Sequence, residues 1–337
     1  MISIPQKMSA VLTTGHGGFD VLDFRTDVEV PSPNSDQVLI KVLGAGINNT
    51  DINTRTAWYS KSVTGETNSK EGLDDDGGWA GEPLKFPIIQ GADCCGVIVA
   101  VGDDVESDRV GERVLVRTMQ QYPVDYRPYE CWTMGSECDG AFAEYMVAYS
   151  DESFKIESDW TDVELASIPC AYSTAENLLE RSGVKADEVV MITGASGGVG
   201  SAAIQLAKRR GANVIAISSK EKASQVQEIG ADQVINREDK LRDSIESESV
   251  DVVIDLVAGK EWGNLLEVLK RGGRYAAAGA IDEAIVDKFH QGRIETTGFD
   301  VADATIDGNL PIALITLRSA LETGTDPVMV TSAIASS

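Results

Sequence analysis

The chain has 337 residues, with 29 Lys and Arg against 54 Asp and Glu, a formal charge of −25. That length suggests about two domains and a core that needs no disulfide or metal staple. The acidity excludes sequence-independent nucleic-acid binding, which relies on Lys and Arg at phosphates, and adsorption to anionic membranes.

Residues 1–150 read as β-rich and irregular. The runs VLIKVLGAGI (38–47), GVIVAVG (96–102) and RVLVRT (113–118) are short strands separated by Gly, Pro and Asn, the pattern of a barrel-like β domain. Residues 60–85 are polar, Gly-rich and acidic, and read as a long surface loop with Asp74–Asp76 at its most solvated point. Trp58, Tyr59 and Trp79 bracket that loop and would either line a cleft or simply pack. A polar stretch near 150–160 separates this domain from the next, which gives a first domain of residues 1–155 and a second of 156–289. Residues 290–337 are a segment that could return to the first domain.

From about residue 184 the rhythm alternates. Strands are expected at 189–195, 213–219, 231–237, 250–257 and 274–280, and helices at 198–211, 220–230 and 261–273. A helix is also expected over STAENLLERSG, beginning at Ser173-Thr174, with Ser173 as a possible N-cap. Five strands alternating with helices predict a parallel, doubly wound sheet covered on both faces, so the fold class is α/β. No apolar run approaches the ~18 residues that span a bilayer, and the start MISIPQKMSAVL has no signal-peptide pattern. The five cysteines, Cys94, Cys95, Cys131, Cys138 and Cys170, are a sparse, odd set that fits a reducing cytoplasm.

The strand 189–195 runs into Gly194-Ala195-Ser196-Gly197-Gly198-Val199-Gly200. Aligned on G-x-G-x-x-G, alanine stands at the first glycine, Gly197 lets the backbone approach a pyrophosphate, and Gly200 lets the helix pack on the strand. The amides of that helix start would hold the phosphates of a dinucleotide. The next strand ends in Ser218-Ser219-Lys220, with Lys222 close behind, where an NAD site carries an acidic residue. Hydroxyls and an ammonium suit a 2′-phosphate, so NADP(H) is the expected cofactor. Lys220 could instead merely decorate the following helix.

These features resemble the medium-chain dehydrogenase/reductase superfamily, and within it the zinc-independent, quinone oxidoreductase-like branch. The resemblance runs from about residue 8 to about 285 through Gly46-Ile47-Asn48 with Asp51, GADCCGVIVAVG (91–102), GERV (111–114), GSECDGAFAEY (135–145), PCAYSTA (169–175) and Gly194–Gly200. It implies a GroES-like β domain followed by a Rossmann domain, with substrate bound between them. Alcohol dehydrogenases of the superfamily hold catalytic zinc on Cys, His and Cys. The matching positions here are Asn48, Ala92 and Cys170, so no metal is expected. Cys94 and Cys95 are adjacent on a strand and point to opposite faces, so they cannot share one ion. The structural-zinc run of four cysteines is also missing.

The resemblance further implies a catalytic cluster at Asn48, Asp51, Arg55 and Tyr59. Asn48 would bond cofactor or substrate oxygen, and Tyr59 would stack on or donate to a flat acceptor. Asp51 and Arg55, four apart, could be only a helical ion pair. Thr174 matches a position beside the nicotinamide, while Cys170 is either a reactive thiol there or a small buried residue at the start of a helix. The implied activity is hydride transfer from NADPH to a quinone or α,β-unsaturated carbonyl. An alcohol dehydrogenase with an atypical site and a non-enzymatic NADPH-binding protein are the alternatives. Relatives pair through the last Rossmann strand, so a homodimer acting on a small molecule is expected. After about residue 285 the likeness fades, and the last helix and strand of the family are not evident.

Overall fold

The computed structural model describes residues 3–60, 63, 77–78, 83–127, 130–258, 262–278 and 317. All but the last lie in one compact unit, Met1–Ala280. Trp79, Asp74–Asp76 and the segment 290–337, apart from Leu317, lie outside the described residues.

The first half is antiparallel. Strands β1 (Lys7–Thr13), β2 (Leu22–Glu29), β3 (Gln37–Gly44), β4 (Ile88–Ile89), β5 (Cys95–Val101), β6 (Arg113–Val116), β7 (Met119–Gln120), β8 (Trp132–Thr133), β9 (Tyr145–Tyr149) and β10 (Ser153–Lys155) form three sheets. Their orders are β2-β1-β4, β10-β6-β5-β3-β9 and β7-β8. The three- and five-stranded sheets join where Val11 N–H donates to Phe142 O and Ala10 bridges Ala143. Alternation along β3 sends Val38 and Ile40 to a core with Ile98, Val114 and Val116, while Leu39 faces a second core with Met8, Ile89 and Tyr145. Full burial of each such side chain contributes about 1.5–3 kcal/mol, which fixes the register against a one-residue slip. One helix, α1 (Asn49–Arg55), leaves the end of β3.

Helices α2 (Asp162–Leu165) and α3 (Pro169–Arg181) lead to a parallel sheet. Strands β11 (Val189–Ile192), β12 (Asn213–Ser218), β13 (Gln233–Asn236), β14 (Val250–Asp255) and β15 (Leu269–Ala277) lie in the order β13-β12-β11-β14-β15. The connecting helices are α4 (Gly198–Arg209), α5 (Ala223–Glu228), α6 (Leu241–Ser244) and α7 (Gly263–Leu266). Both faces are covered: Val190 and Ile192 pack with residues of α3 and α4, and Met191 packs oppositely with Val253 and Leu265. The chain reverses direction across the sheet between β11 and β14, the switch point where such sheets open a ligand crevice.

Three expected elements differ. The helix expected at 261–273 stops at Leu266, and β15 begins at Leu269. The run LLEVL carries helical spacing, but pairing with β14 wins, and the four residues between Leu269 and Arg274 bulge out around Gly272 at φ +76°. The helix expected at 220–230 is a 3-10 turn at Lys220–Lys222 followed by the short α5. Finally, α3 starts at Pro169 rather than at Ser173. Proline occupies the first helical position, where its missing N–H costs nothing. Ser173 therefore lies inside the helix and is not its N-cap, and its hydroxyl turns back to Cys170 O at 3.4 Å.

Candidate active site

At the end of β3, Asn48 caps α1. It stands in a reciprocal box with Asp51, whose Oδ2 accepts the Asn48 backbone N–H at 2.7 Å. Asp51 Oδ1 accepts Ala92 N–H at 3.0 Å, and its backbone oxygen accepts Gln90 Nε2 at 2.9 Å. The carboxylate thus sews α1 to the loop before β5. Asp51 is buried, and that burial pushes its carboxyl up to about 6 against the opposing pull of the Asn48 and Ala92 amides. Because the folded carboxyl holds its proton more tightly than the unfolded one, its contribution to stability is full below pH ~4 and is lost as pH rises through 6. From pH 7 to pH 4.5, the unfolding free energy of the wild type relative to Asp51→Asn should rise by about 2 kcal/mol, as read by urea denaturation. A difference that stays constant with pH would refute the raised value.

The Asn48 side chain reaches further. Its Nδ2 donates to Asp93 Oδ2 at 2.8 Å, and Asp93 Oδ1 accepts the Cys170 backbone N–H at 2.6 Å. Asp93 is 1% exposed, and burial raises its carboxyl above the usual range. Gly46 packs here because a Cβ would lie 2.7 Å from both Asp93 Oδ2 and Ala166 O. The three positions that match a zinc-ligand set therefore hold a capping amide, an alanine whose N–H binds Asp51, and a thiol. Partial burial pushes the Cys170 thiol up to about 12, helped by Asp93 and Asp51, so this half-buried thiol stays protonated at neutral pH. Among the described residues, no group of three or more His, Cys, Asp or Glu could hold a metal ion. Cys94 packs in the barrel core and Cys95 against Leu165 and Ala166, on opposite faces of the strand as expected.

Tyr59 follows α1, and its hydroxyl donates to Thr50 Oγ1 at 3.0 Å. Burial pushes the phenol well above its ordinary value. Trp58 is buried and meets Tyr59 edge-on, so it packs rather than lines a cleft. Arg55 stands apart from the cluster. It makes no ion pair with Asp51. Its guanidinium lies over the Phe19 ring at 5.0 Å, and Nη1 is buried without a hydrogen-bond partner. So Asn48, Asp51 and Tyr59 come together, and the helical ion pair that was the alternative for Asp51 and Arg55 does not form.

A second group builds on β11. Gly194, at φ +57°, makes the turn that the alignment assigned to Ala195. Ala195 is fully buried instead, and its N–H donates to Ile217 O. Gly197 is the N-cap of α4, which leaves the first-turn amides of Gly198, Val199 and Gly200 without partners inside the helix. Ser196 precedes them, half-buried in the turn. A Cβ on Gly200 would sit 2.4 Å from Gly194 O and 2.7 Å from Ala195 Cα, so only glycine lets the helix approach the turn. A Cβ on Gly198 would lie 3.6 Å from that of Ala171, which brings the phosphate turn against the first turns of α3. Thr174 sits there half-buried, its hydroxyl bonded to Cys170 O at 2.7 Å.

At the end of β12, Ser218 Oγ is buried without a partner. Ser219 starts the 3-10 turn that carries Lys220 and Lys222, and Arg237 N–H donates to Ser218 O at 2.9 Å. A cavity of about 310 Å³ opens beside Ser219, Lys220, Ala223, Val234, Asn236 and Asp239. The sequence reading missed Asp93, Thr50 and Arg237. For Arg237, the available signal was its place one residue past a parallel strand next to Ser218.

The geometry agrees with comparisons to known proteins. The family profile for an alcohol dehydrogenase GroES-like domain matches residues 34–158, and that for a zinc-binding dehydrogenase matches 198–310, past the point where the likeness was expected to fade. The chain is 32% identical over 280 residues to the quinone oxidoreductase of Sus scrofa, covering 81% of this chain and 73% of that protein. It is 30% identical to the chloroplastic NADPH-dependent alkenal/one oxidoreductase of Arabidopsis thaliana, over 82% of this chain and 63% of that one. Among solved structures, a candidate alcohol dehydrogenase of Sinorhizobium meliloti 1021 superposes with TM-score 0.75 at 40% identity, covering 86% of this chain and 82% of that one. With a GroES-like barrel, a parallel dinucleotide sheet and these relatives, the chain belongs to the medium-chain dehydrogenase/reductase superfamily, in its quinone oxidoreductase-like branch.

Proposed function

We propose that the protein is an NADPH-dependent oxidoreductase that passes hydride to a quinone or an α,β-unsaturated carbonyl without a catalytic zinc. The observation that carries this reading is the set Asn48, Ala92 and Cys170, with Asp93 bonded to Asn48 and to the Cys170 amide. Zinc needs thiolate, imidazole or carboxylate donors, and an amide, a methyl and a single thiol do not make that set. Without a Lewis acid, an electron-poor acceptor is the easier substrate.

NADPH, when bound, supplies the hydride. The amides of Gly198, Val199 and Gly200 would hold its pyrophosphate, with Ala195 and Ser196 shaping the turn. Ser218, Ser219 and Lys220 would hold the 2′-phosphate, and the orphaned Ser218 Oγ and the cation Arg237 fit that role. Thr174 would lie near the nicotinamide. Asn48 and Tyr59 would donate hydrogen bonds to the acceptor oxygen as charge builds on it, and Asp51 would keep α1 and Asn48 in place. The homodimer implied by the resemblance would pair near β15, the outermost described strand on its side of the sheet.

The experiment is to follow NADPH and NADH oxidation with benzoquinone and simple enones, with and without chelator. The expected outcome is NADPH oxidation that survives chelation. About one tightly held zinc per chain, with alcohol oxidation that chelator abolishes, would replace this reading with an alcohol dehydrogenase. Tight NADPH binding without turnover of any acceptor would replace it with a binding protein.

A further inference from the structure

We infer that Asp93 is a positioning residue that makes Asn48 a hydrogen-bond donor toward the reacting oxygen. This rests on the reading of Asn48 as a site residue given above. A primary amide has an oxygen and two N–H groups, and Asp93 decides which way they point. One N–H is taken by Asp93 Oδ2, and the Asn48 oxygen lies on the side of the first-turn amide of α1 in the capping box, without a hydrogen bond to it. The group left over is the second N–H. An ionised Asp93 accepts only, so it forces the nitrogen toward itself and forbids the flipped amide, which would leave two oxygens facing each other.

The carboxylate is itself held. Its other oxygen accepts the Cys170 N–H at the start of α3, the side chain is 1% exposed, and Gly46 leaves room for nothing between the loops. The same carboxylate therefore locks the Asn48 amide and ties it to the helix that carries Thr174. A donor fixed in advance is what a developing oxyanion requires, since it pays no reorganisation when charge appears.

The test is a double-mutant cycle of Asp93→Asn and Asn48→Ala, read in two ways. In the cofactor-free protein, the two changes in denaturation midpoint should be non-additive, the double variant lying several degrees above the sum. In turnover, Asp93→Asn should lower kcat for a simple enone about 30-fold while benzoquinone, which needs less oxyanion support, falls about threefold, and the Kd for NADPH should stay within about threefold. In the Asn48→Ala background, Asp93→Asn should cost no further selectivity. Should Asp93→Asn fail to fold, Asp93→Ser, which keeps a small acceptor, takes its place. Additive midpoints, or equal losses on both acceptors, would overturn the inference. If the wild type reduces neither acceptor, the functional reading fails instead, and the cofactor-free cycle still decides whether Asp93 acts through Asn48.

Discussion

Replacing Gly200 by alanine should abolish useful cofactor binding, raising the Kd for NADPH and NADH alike by about 100-fold or more and lowering stability by about 2–3 kcal/mol. The added methyl carbon would lie 2.4 Å from Gly194 O and 2.7 Å from Ala195 Cα, and both neighbours are backbone that cannot rotate aside. Either α4 lifts off the turn or the turn itself opens. In both cases the amides of Gly198, Val199 and Gly200 lose their common aim, and an anion site built from helix-start amides fails as a unit. The natural control is Gly198→Ala, two residues away. Its methyl would meet only the Ala171 Cβ, at 3.6 Å, an ordinary contact. That variant should keep its melting temperature within about 2 °C and its NADPH affinity within a few-fold. Isothermal titration and thermal denaturation of both variants check the pair. Equal effects from both would mean that the helix–turn contact does not shape the site.

The same turn shows how far sequence alone carries. The strand–Gly–helix order around 189–200 was legible because the glycines sit between a wholly apolar run and an amphipathic one, and the parallel sheet followed from that rhythm. The assignment of roles within the turn was less legible. An alignment gives the first position to Ala195, yet the backbone places the left-handed residue at Gly194 and buries Ala195 completely. Local patterns also mislead where long-range pairing overrides them. Leu265, Leu266, Val268 and Leu269 carry helical spacing, but β14 captures the chain from Leu269 onward. In the site, the family resemblance and not any local spacing pointed to Asn48, Asp51 and Tyr59, and all three belong to α1 or its flanks. The alternative weighed for Asp51 and Arg55, a helical ion pair, is absent, and two backbone amides bind the Asp51 carboxylate instead. Asp93 was invisible for a different reason. Its partners, Asn48 and Cys170, are 45 and 77 residues away, and no local pattern encodes such a contact.

On the proposed reading of the β12 end as a 2′-phosphate site, removing both Lys220 and Arg237 should shift cofactor preference from NADPH toward NADH. Lys220 opens the turn after β12, and Arg237 is fastened to the end of that strand through its own N–H on Ser218 O. Both residues thus attach close to the strand end that carries the buried, unpartnered Ser218 Oγ. A 2′-phosphate brought there gains the hydroxyls of Ser218 and Ser219 and two charge-assisted contacts, each typically worth about 1.5–3 kcal/mol. Glu221 opposes it: its own backbone amide, the Ser219 hydroxyl and the field of Arg237 hold its carboxyl below the usual range, so it stays ionised and Arg237 offsets its repulsion. With the double change to alanine, the Lys220 and Arg237 contacts vanish and Glu221 loses its counter-charge. The KM for NADPH should then rise about 100-fold, while that for NADH, which lacks the phosphate, should move less than about threefold. Salt gives a second, independent reading, because exposed cations are screened over a Debye length of about 8 Å at physiological ionic strength. NADPH affinity of the wild type should weaken as salt is raised from 50 to 500 mM, on the order of tenfold, and most of that dependence should disappear in the double variant. A wild type that uses NADH and NADPH equally well, or a double variant whose preference and salt response are unchanged, would show that the carboxylate-free end of β12 does not select the phosphate. In that case Lys220 is only a solvated residue on an acidic protein.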